Sequence, residues 1–439
     1  MDARVLIIAS DDRLAAPLSE GLDRLGWRSI TARDGDAALA ALADLAVEAV
    51  LVEGDEGDEA ALALARRLRA ERSPRGLAVV ALGRPDPQRG GGAFDLALCP
   101  PLHPLQAALR LEALVRASVA EEEFELRRAT FADRGRTLPS PIVSKAPLKI
   151  LTVGEPAPKF LALAHALTAL GAEATAALTA YTAFDYLHEE SFDAVVLWAG
   201  ETHAEALSIA GGMRRNTRLY HVPTALYLRT GAEVALSDAF NRGLSDVASA
   251  DTPEEETARR VISLAQAYRR ETAIRRALEH ARTSGLMDSA TGLFTRDLFA
   301  AHLGRLAAAS RERGRPLSVA VLRVADKPET VAARREGWLD RAVPQLGSMI
   351  GRLVRAEDTA ARLGPEVFAL ALPAADAAKA RAAAERIGAV IACTAFDAGD
   401  TRLPFTVEFD LGVAELERGE TAARTLERAA AGALKQAAG

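Results

Sequence analysis

Two short segments near the C-terminus carry the residues best suited to chemistry. Arg355-Ala-Glu-Asp358 places an arginine three positions before a carboxylate, and Gly364-Pro-Glu-Val-Phe368 follows after five intervening residues. A guanidinium can bond bidentately to guanine O6 and N7 or to phosphate, and a carboxylate can accept from guanine N1–H and the 2-amino group. The same Arg–Asp spacing is also typical of an exposed ion pair at the end of a helix, which contributes little stability.

The elements that position these segments follow from hydrophobic periodicity. The apolar pattern of 346–353 predicts a helix just before Arg355, and 317–324 predicts a buried strand. Short apolar runs of strand type alternate with helical patterns through residues 4–82, and residues 149–228 repeat this series about 145 residues later. Strands and helices that alternate at this spacing predict parallel sheets with helices on both faces, so the chain is of the α/β class.

We divide the chain into five parts on these patterns. They are an α/β domain with an extended last helix at 1–135, a linker at 136–147, a second α/β domain at 148–253, a helical stalk at 254–285, and a third α/β domain at 286–439. The linker is predicted from Pro139, Pro141 and Pro147 among polar residues. The extended helix continues into a charged stretch, Glu121-Glu-Glu123.

The third domain resembles the GGDEF domain of diguanylate cyclases. Its opening, Asp288-Ser-Ala-Thr-Gly-Leu-Phe-Thr-Arg296, is similar to the DxLTGLxNR motif, and 364–368 is similar to the GG(D/E)EF hairpin. The Arg355–Asp358 segment is similar to the RxxD inhibitory site, where cyclic di-GMP binds. The two front domains resemble the receiver domains of response regulators. The whole chain therefore resembles receiver–receiver–GGDEF response regulators of the PleD type.

The resemblance implies a degenerate catalytic hairpin. It comprises Gly364, Pro365, Glu366, Val367 and Phe368. Pro365 replaces a glycine that allows close approach of the nucleotide, and it fixes φ and removes an N–H donor. Val367 offers no carboxylate, and Arg323 occupies the position of a metal-binding aspartate, where a guanidinium would repel Mg²⁺. We therefore expect no catalytic residue, no metal site, no cofactor and no enzymatic activity.

The same resemblance implies a working nucleotide site. Arg355 and Asp358 would bind cyclic di-GMP, and Arg386, on the following helix, would hold the far face of an intercalated ligand dimer. By this resemblance the chain is a non-catalytic cyclic di-GMP receptor in bacterial cell-cycle control, a homodimer that recruits protease adaptors and polar localisation factors at a cell pole. The alternatives are a ligand-independent dimeric scaffold and a cyclase with residual activity.

The two receiver-like domains lack the residues of phosphotransfer. A receiver needs an acidic pair that holds Mg²⁺ and an acceptor aspartate. In the second copy the acceptor position is Trp198, and indole cannot accept phosphate. In the first copy this position is Glu53, which either imitates a charged state or is simply solvated, although Asp55 with Asp11 and Asp12 as a shifted acidic pair is an alternative. Both domains are expected to serve in dimerisation and docking.

Composition and charge bear on the partners and the location that we expect for the chain. The net charge of −6, with acidic and basic residues interspersed, argues against a nucleic-acid duplex as partner. No apolar run reaches the about 18 residues that a membrane span needs, and no signal-peptide pattern opens the chain, so we expect no membrane insertion and a cytoplasmic location. Cys99 and Cys393 lack metal-ligand spacing and are expected to be small buried residues.

Overall fold

The computed structural model describes most of the chain, in two compact units. The described residues are 4–71, 77–86, 93–100, 102–199, 203–216, 218–228, 234–281, 286–398 and 403–438. One unit contains Met1–Ser118 and Val143–Ala273, and the other contains Val119–Ile142 and Ile274–Gly439. The division cuts two long helices, so the five-part domain organisation drawn from the sequence stays a prediction. The last residues of the predicted stalk, 282–285, lie outside the described residues.

The first sheet of the first unit has the strand order β2-β1-β3-β4-β5, with all strands parallel. Its elements are β1 (Arg4–Ile8), α1 (Asp12–Arg24), β2 (Arg28–Ala32), α2 (Gly35–Asp44), β3 (Ala49–Glu53), α3 (Glu59–Glu71), β4 (Ala78–Leu82), β5 (Leu96–Leu98) and α4 (Pro104–Ala132). The strand order reverses at β1 and β3, and doubly wound sheets of this kind place their sites at the carboxyl ends of those strands.

The second sheet of this unit repeats the pattern with the order β10-β9-β8-β6-β7. Its elements are β6 (Lys149–Val153), α5 (Pro158–Ala169), β7 (Glu173–Ala177), α6 (Ala180–Glu189), β8 (Ala194–Ala199), α7 (Ala204–Arg215), β9 (Thr224–Leu228), α8 (Leu236–Asn241), β10 (Asp246–Ala248) and α9 (Glu254–Ala281). All of its strands are parallel. The central strand β8 is apolar and buried throughout because helices cover both faces of the sheet.

The second unit is built on a mixed sheet with the order β11-β13-β14-β12-β15. Its elements are β11 (Phe294–Thr295), α10 (Arg296–Arg313), β12 (Leu317–Val324), α11 (Pro328–Arg335), α12 (Trp338–Leu353), β13 (Thr359–Gly364), β14 (Val367–Pro373), α13 (Ala377–Ala392), β15 (Phe409–Glu415) and α14 (Ala422–Ala438). Strand β14 pairs antiparallel with both β13 and β12, β15 pairs antiparallel with β12, and β11 pairs parallel with β13. The α/β class and the layout of two receiver-like sheets followed by a cyclase-like domain are confirmed.

The two cysteines, both expected to be buried, differ in the structure. Cys99 is buried, and burial raises the pKa of its thiol to about 12. Cys393, the C-cap of α13, is exposed, so the expectation of a buried cysteine is wrong there. Within the described residues, no helix is long and apolar enough to cross a membrane.

Candidate functional site

The candidate nucleotide site begins where α12 ends. The backbone N–H of Arg355 donates to Asp358 Oδ2 at 3.1 Å, and the N–H of Asp358 donates to the carbonyl of Arg355 at 3.2 Å. These two bonds close a tight turn between α12 and β13. Arg355 is exposed, and its guanidinium makes no hydrogen bond or ion pair with any residue that the structure describes. The turn therefore presents a guanidinium that can bind an incoming ligand.

Asp358 is the buried member of the pair, with 6% of its surface exposed. Burial raises the pKa of its carboxyl to about 7, and the neighbouring Glu357 adds to the rise, whereas Arg355 opposes it. The exposed ion pair that the spacing also allowed would leave this carboxyl solvated. An aspartate with a pKa near neutrality is partly protonated at pH 7, and only its ionised form can accept hydrogen bonds through both oxygens without donating one.

Arg386, on α13, lies beside the same turn. Its Nη2 donates to the carbonyl of Leu353 at 3.3 Å, and Leu353 is the last residue of α12, two positions before Arg355. The side chain of Arg386 is exposed. The fold thus brings Arg386 of α13 next to the turn that carries Arg355 and the buried Asp358. Their assignment to a ligand stays a prediction.

The predicted hairpin is formed by β13 and β14. Gly364 pairs with Val367 across a turn made by Pro365 and Glu366, and Phe368 is fully buried in the core. The Glu366 carboxylate is held from the side by Arg334 of α11, whose Nε and Nη2 donate at 2.7 and 2.6 Å. This bidentate pair occupies both oxygens of the carboxylate that the hairpin retains.

A second arginine neutralises the carboxylates beside the hairpin. Arg323, near the end of β12, contacts Asp326 at 2.5 Å and Asp410 at 3.2 Å, and Arg334 reaches the other oxygen of Asp326 at 2.8 Å. The hydrogen bonds from Arg323 and Arg334 lower the pKa of Asp326. The hydrogen bond with Glu366 raises the pKa of Arg334. The cleft therefore contains a connected set of arginine–carboxylate pairs.

The segment around this set departs from the sequence interpretation. The charged residues Asp326, Glu329, Arg334, Arg335 and Glu336 predict a solvated loop by composition, but Pro328–Arg335 is helix α11. Pro328 occupies its first turn, where a missing N–H costs no helical hydrogen bond. The helix directs Arg334 toward the hairpin, so its charge is paired instead of solvated. Charged side chains that are paired through tertiary contacts cannot be distinguished from solvated ones by composition alone.

The first receiver-like sheet places its acidic residues in separate contacts. The Glu53 carboxylate accepts from the N–H and hydroxyl of Ser10 at 2.7 and 2.8 Å. Asp11 caps α1, Asp12 pairs with an arginine at 3.0 Å, and Asp55 accepts a backbone N–H at 2.6 Å. Among the described residues, no group of three or more His, Cys, Asp or Glu side chains could hold a metal ion. Phosphorylation of Asp55 stays a prediction.

The second receiver-like sheet fills its acceptor position with aromatic packing. Trp198 is 5% exposed and lies edge-on to Tyr227 and Phe160, with ring centroids 4.9 and 6.0 Å away. Gly154, at the end of β6, passes so close that a Cβ placed there would lie 2.6 Å from Trp198 Cβ. The indole is thus packed tightly at the end of β8, at the position that the resemblance assigns to the phosphoacceptor.

One buried polar cluster was missed by sequence reasoning. Glu123, at the end of the supposed charged stretch, is 1% exposed and bonds Arg127 at 2.6 Å and His302 at 2.9 Å. Burial alone would raise the pKa of Glu123, but attraction to His302 and Arg127 lowers it to about 2. The sequence signal that could have indicated the burial of Glu123 is its spacing, because it shares a helix face with the buried residues Val119 and Phe131.

Comparison with known proteins agrees with this architecture. Residues 285–438 match the family model described as "Diguanylate cyclase, GGDEF domain". The chain is 23% identical over 442 residues to Response regulator PleD of Caulobacter vibrioides, covering 98% of this chain and 96% of PleD. Two receiver-like sheets followed by a domain that matches the GGDEF family model agree with the layout read from the sequence. Along nearly its whole length, the chain is similar to PleD at low identity.

Solved structures with similarity to this chain are GGDEF domains. One is the GGDEF domain of DgcB from Caulobacter crescentus in complex with c-di-GMP, 26% identical, with a TM-score of 0.32; the match covers 35% of this chain and 87% of that one. Another is the FimX GGDEF domain from Pseudomonas aeruginosa, 22% identical, with a TM-score of 0.33; it covers 35% of this chain and 95% of that one.

Proposed function

We propose that this protein is a non-catalytic receptor for cyclic di-GMP. The observation that carries the proposal is the state of the catalytic cleft. Arg323 and Arg334 engage the carboxylates of Asp326, Asp410 and Glu366, so the side chains that could hold Mg²⁺ are already paired with cations. A metal ion would have to displace two guanidinium groups and then tolerate their charge. Such a cleft is poorly suited to joining two GTP molecules.

The candidate ligand site differs from this cleft because its arginine side chains are available to bind a ligand. Arg355 is exposed and unpaired among the described residues, and Arg386 reaches the same turn from α13. Guanidinium groups of this kind can bind guanine edges and phosphates, and both features occur in cyclic di-GMP. Once ionised, the Asp358 carboxylate can accept from guanine N1–H and the 2-amino group, a pairing that adenine does not offer. The site is therefore matched to a guanine nucleotide that carries phosphate.

The test joins a binding titration to a turnover assay. Purified wild-type protein is titrated calorimetrically with cyclic di-GMP, and separately incubated with GTP and Mg²⁺. We expect saturable binding and no product above background. Arg355→Ala should weaken binding about 10- to 100-fold, because a charge-assisted hydrogen bond contributes roughly 1.5–3 kcal/mol. Arg386→Ala should also weaken binding, and cyclic di-AMP should compete poorly.

The matched control is Arg381→Ala, which removes an exposed arginine from the same helix as Arg386. It should bind with wild-type affinity. If Arg355→Ala melts normally and binds as tightly as the wild type, the ligand assignment fails. Turnover of GTP that disappears in Glu366→Ala would instead support a cyclase with residual activity, and the absence of both binding and turnover would support a ligand-independent scaffold.

The resemblance also carries finer predictions about biology. They are a role in bacterial cell-cycle control, a location at a cell pole, and recruitment of protease adaptors and localisation factors by a homodimer. Proteins that copurify with this chain from cross-linked cells, compared with and without depletion of cyclic di-GMP, would identify such partners. Loss of a polar fluorescent focus in the Arg355→Ala variant, at unchanged protein level, is the result we expect if the ligand controls localisation.

A further inference from the structure

A buried hydroxyl connects the candidate ligand site to helix α4. Thr359, 2% exposed, is the first residue of β13. Its hydroxyl donates to Glu123 Oε1 at 2.9 Å and accepts from Arg127 Nη2 at 3.1 Å. Glu123 and Arg127 both lie on the part of α4 that packs in the second unit. Residues more than two hundred positions apart in sequence thus meet through one side chain.

The two residues that Thr359 contacts are themselves buried and held by further polar contacts. Glu123 and Arg127 are each 1% exposed and form a salt bridge at 2.6 Å. His302 binds Glu123 through one ring nitrogen at 2.9 Å, and its other ring nitrogen lies 3.0 Å from the Thr130 hydroxyl. Hydrogen bonds to charged groups in a dry interior are stronger than those at the surface, and breaking one leaves a buried charge unsatisfied.

The contact bears directly on the turn that precedes it. Thr359 follows Asp358, and the Asp358 carboxylate closes the turn by accepting from the Arg355 N–H at 3.1 Å. A change in the position of the Thr359 backbone would therefore move Asp358 and alter that bond. The two residues share a peptide bond, so a displacement of the Thr359 backbone acts directly on Asp358.

We propose that Thr359 is a positioning residue that couples the docking of residues 119–142 to the geometry of the Arg355–Asp358 turn. This inference rests on the proposed function only in naming cyclic di-GMP as the ligand. Glu123 and Arg127 act through Thr359 and touch no ligand themselves. By thermodynamic linkage, if docking of α4 strengthens ligand binding, the ligand strengthens docking by the same factor. Ligand at the turn and order in 119–142 then favour each other.

The test compares three threonine variants of the full chain. Thr359→Val removes the hydroxyl at nearly constant volume, Thr359→Ser restores it, and Thr425→Val is the control. Thr425 is 1% exposed in the same unit, and its hydroxyl bonds Glu420 at 3.0 Å, away from β13. Two readouts are measured for each protein. They are hydrogen exchange of the backbone amides in 119–142 and 355–359, and the affinity for cyclic di-GMP.

Without ligand, Thr359→Val should exchange faster in both segments, whereas Thr359→Ser and Thr425→Val should follow the wild type there. With ligand, Thr359→Val should bind about tenfold more weakly, a coupling within the usual range, and should lose the ligand-induced protection of 119–142. Unchanged exchange at 355–359 in a folded Thr359→Val protein would overturn the proposal. So would wild-type protein that binds cyclic di-GMP without any change in 119–142.

The two proposals fail in different ways. If the wild type binds no cyclic di-GMP, the proposed function fails, and the exchange data without ligand still decide the coupling. Faster exchange in both segments of Thr359→Val supports it, and faster exchange in 119–142 alone refutes it. A Glu123→Gln variant adds a second approach to the same contact, because it weakens the bond to Thr359 without changing β13.

Discussion

Single side chains decide what each candidate site can do. In the cleft beside the hairpin, Arg323 and Arg334 bind the carboxylates of Asp410 and Glu366. In the second receiver-like sheet, one indole fills the acceptor position. At the α12–β13 turn, by contrast, Arg355 is free to bind and Asp358 is buried. Within the part of the chain that the structure describes, sites filled by ion pairs or an aromatic ring therefore contrast with a turn whose arginine has no side-chain partner.

The buried carboxyl of Asp358 gives a prediction at this scale. Its pKa lies at about 7 in the folded protein and near 3.8 when unfolded, because burial favours the neutral form. The stability that this group contributes is thus fully present below about pH 4 and is lost as pH rises through 7. Asp358→Asn keeps an acceptor for the Arg355 N–H but cannot ionise. We expect it to be more stable than the wild type at pH 8, by roughly 2–4 kcal/mol, and close to it at pH 4.

Urea unfolding at pH 4, 6 and 8 measures this difference. Asp340→Asn, a change at an exposed aspartate in the first turn of α12, is the control and should follow the wild-type pH dependence. A gap between Asp358→Asn and wild type that does not widen with pH would show that Asp358 is ionised throughout. Because guanine recognition needs the carboxylate, the wild-type affinity for cyclic di-GMP should also rise between pH 6 and 8.

At the scale of elements, helix α4 carries two ion pairs that differ in burial. Glu123 and Arg127 form a buried pair, whereas Glu125 and Arg128 form a pair whose side chains are 33% and 46% exposed. Removing one partner of a buried pair leaves an uncompensated charge in the core, but an exposed pair contributes little. A single helix therefore allows the two situations to be compared under the same conditions.

Glu123→Ala should destabilise the second unit by about 3–5 kcal/mol. Glu125→Ala should cost less than about 1 kcal/mol, since water screens its partner. Differential scanning calorimetry or chemical unfolding, followed by a probe in the second unit, gives both values. Equal and small effects for the two variants would mean that α4 is not docked in solution as the structure has it.

At the scale of the whole molecule, the receiver-like domains are expected to join two copies of the chain. Their phosphotransfer positions hold Glu53 and Trp198, so assembly should not depend on phosphorylation. Multi-angle light scattering at tens of micromolar protein, with saturating cyclic di-GMP, should give twice the mass of the 46.4 kDa chain. Acetyl phosphate should leave that mass unchanged. A strict monomer under these conditions would contradict the prediction.

The sequence by itself determined the α/β class, the repeated sheet and the location of the hairpin. Each depends on patterns local in the chain. Buried strands such as β3 and β12 appear as short apolar runs, and the hairpin is located by its resemblance to the GG(D/E)EF motif. The residue types of Trp198 and Pro365 also carry a prediction, that phosphotransfer and cyclase chemistry are lost at these positions.

The tertiary structure alone decided how the charged residues are partnered. Glu123 stands in a run of three glutamates that resembles a solvated stretch, yet it lies in the core beside Arg127, His302 and Thr359. Arg334 belongs to a segment that composition assigns to a loop, yet it clamps Glu366. A charge is solvated or buried according to residues far away in the sequence, because burial and ion pairing depend on distance in space, which hydrophobic periodicity does not encode.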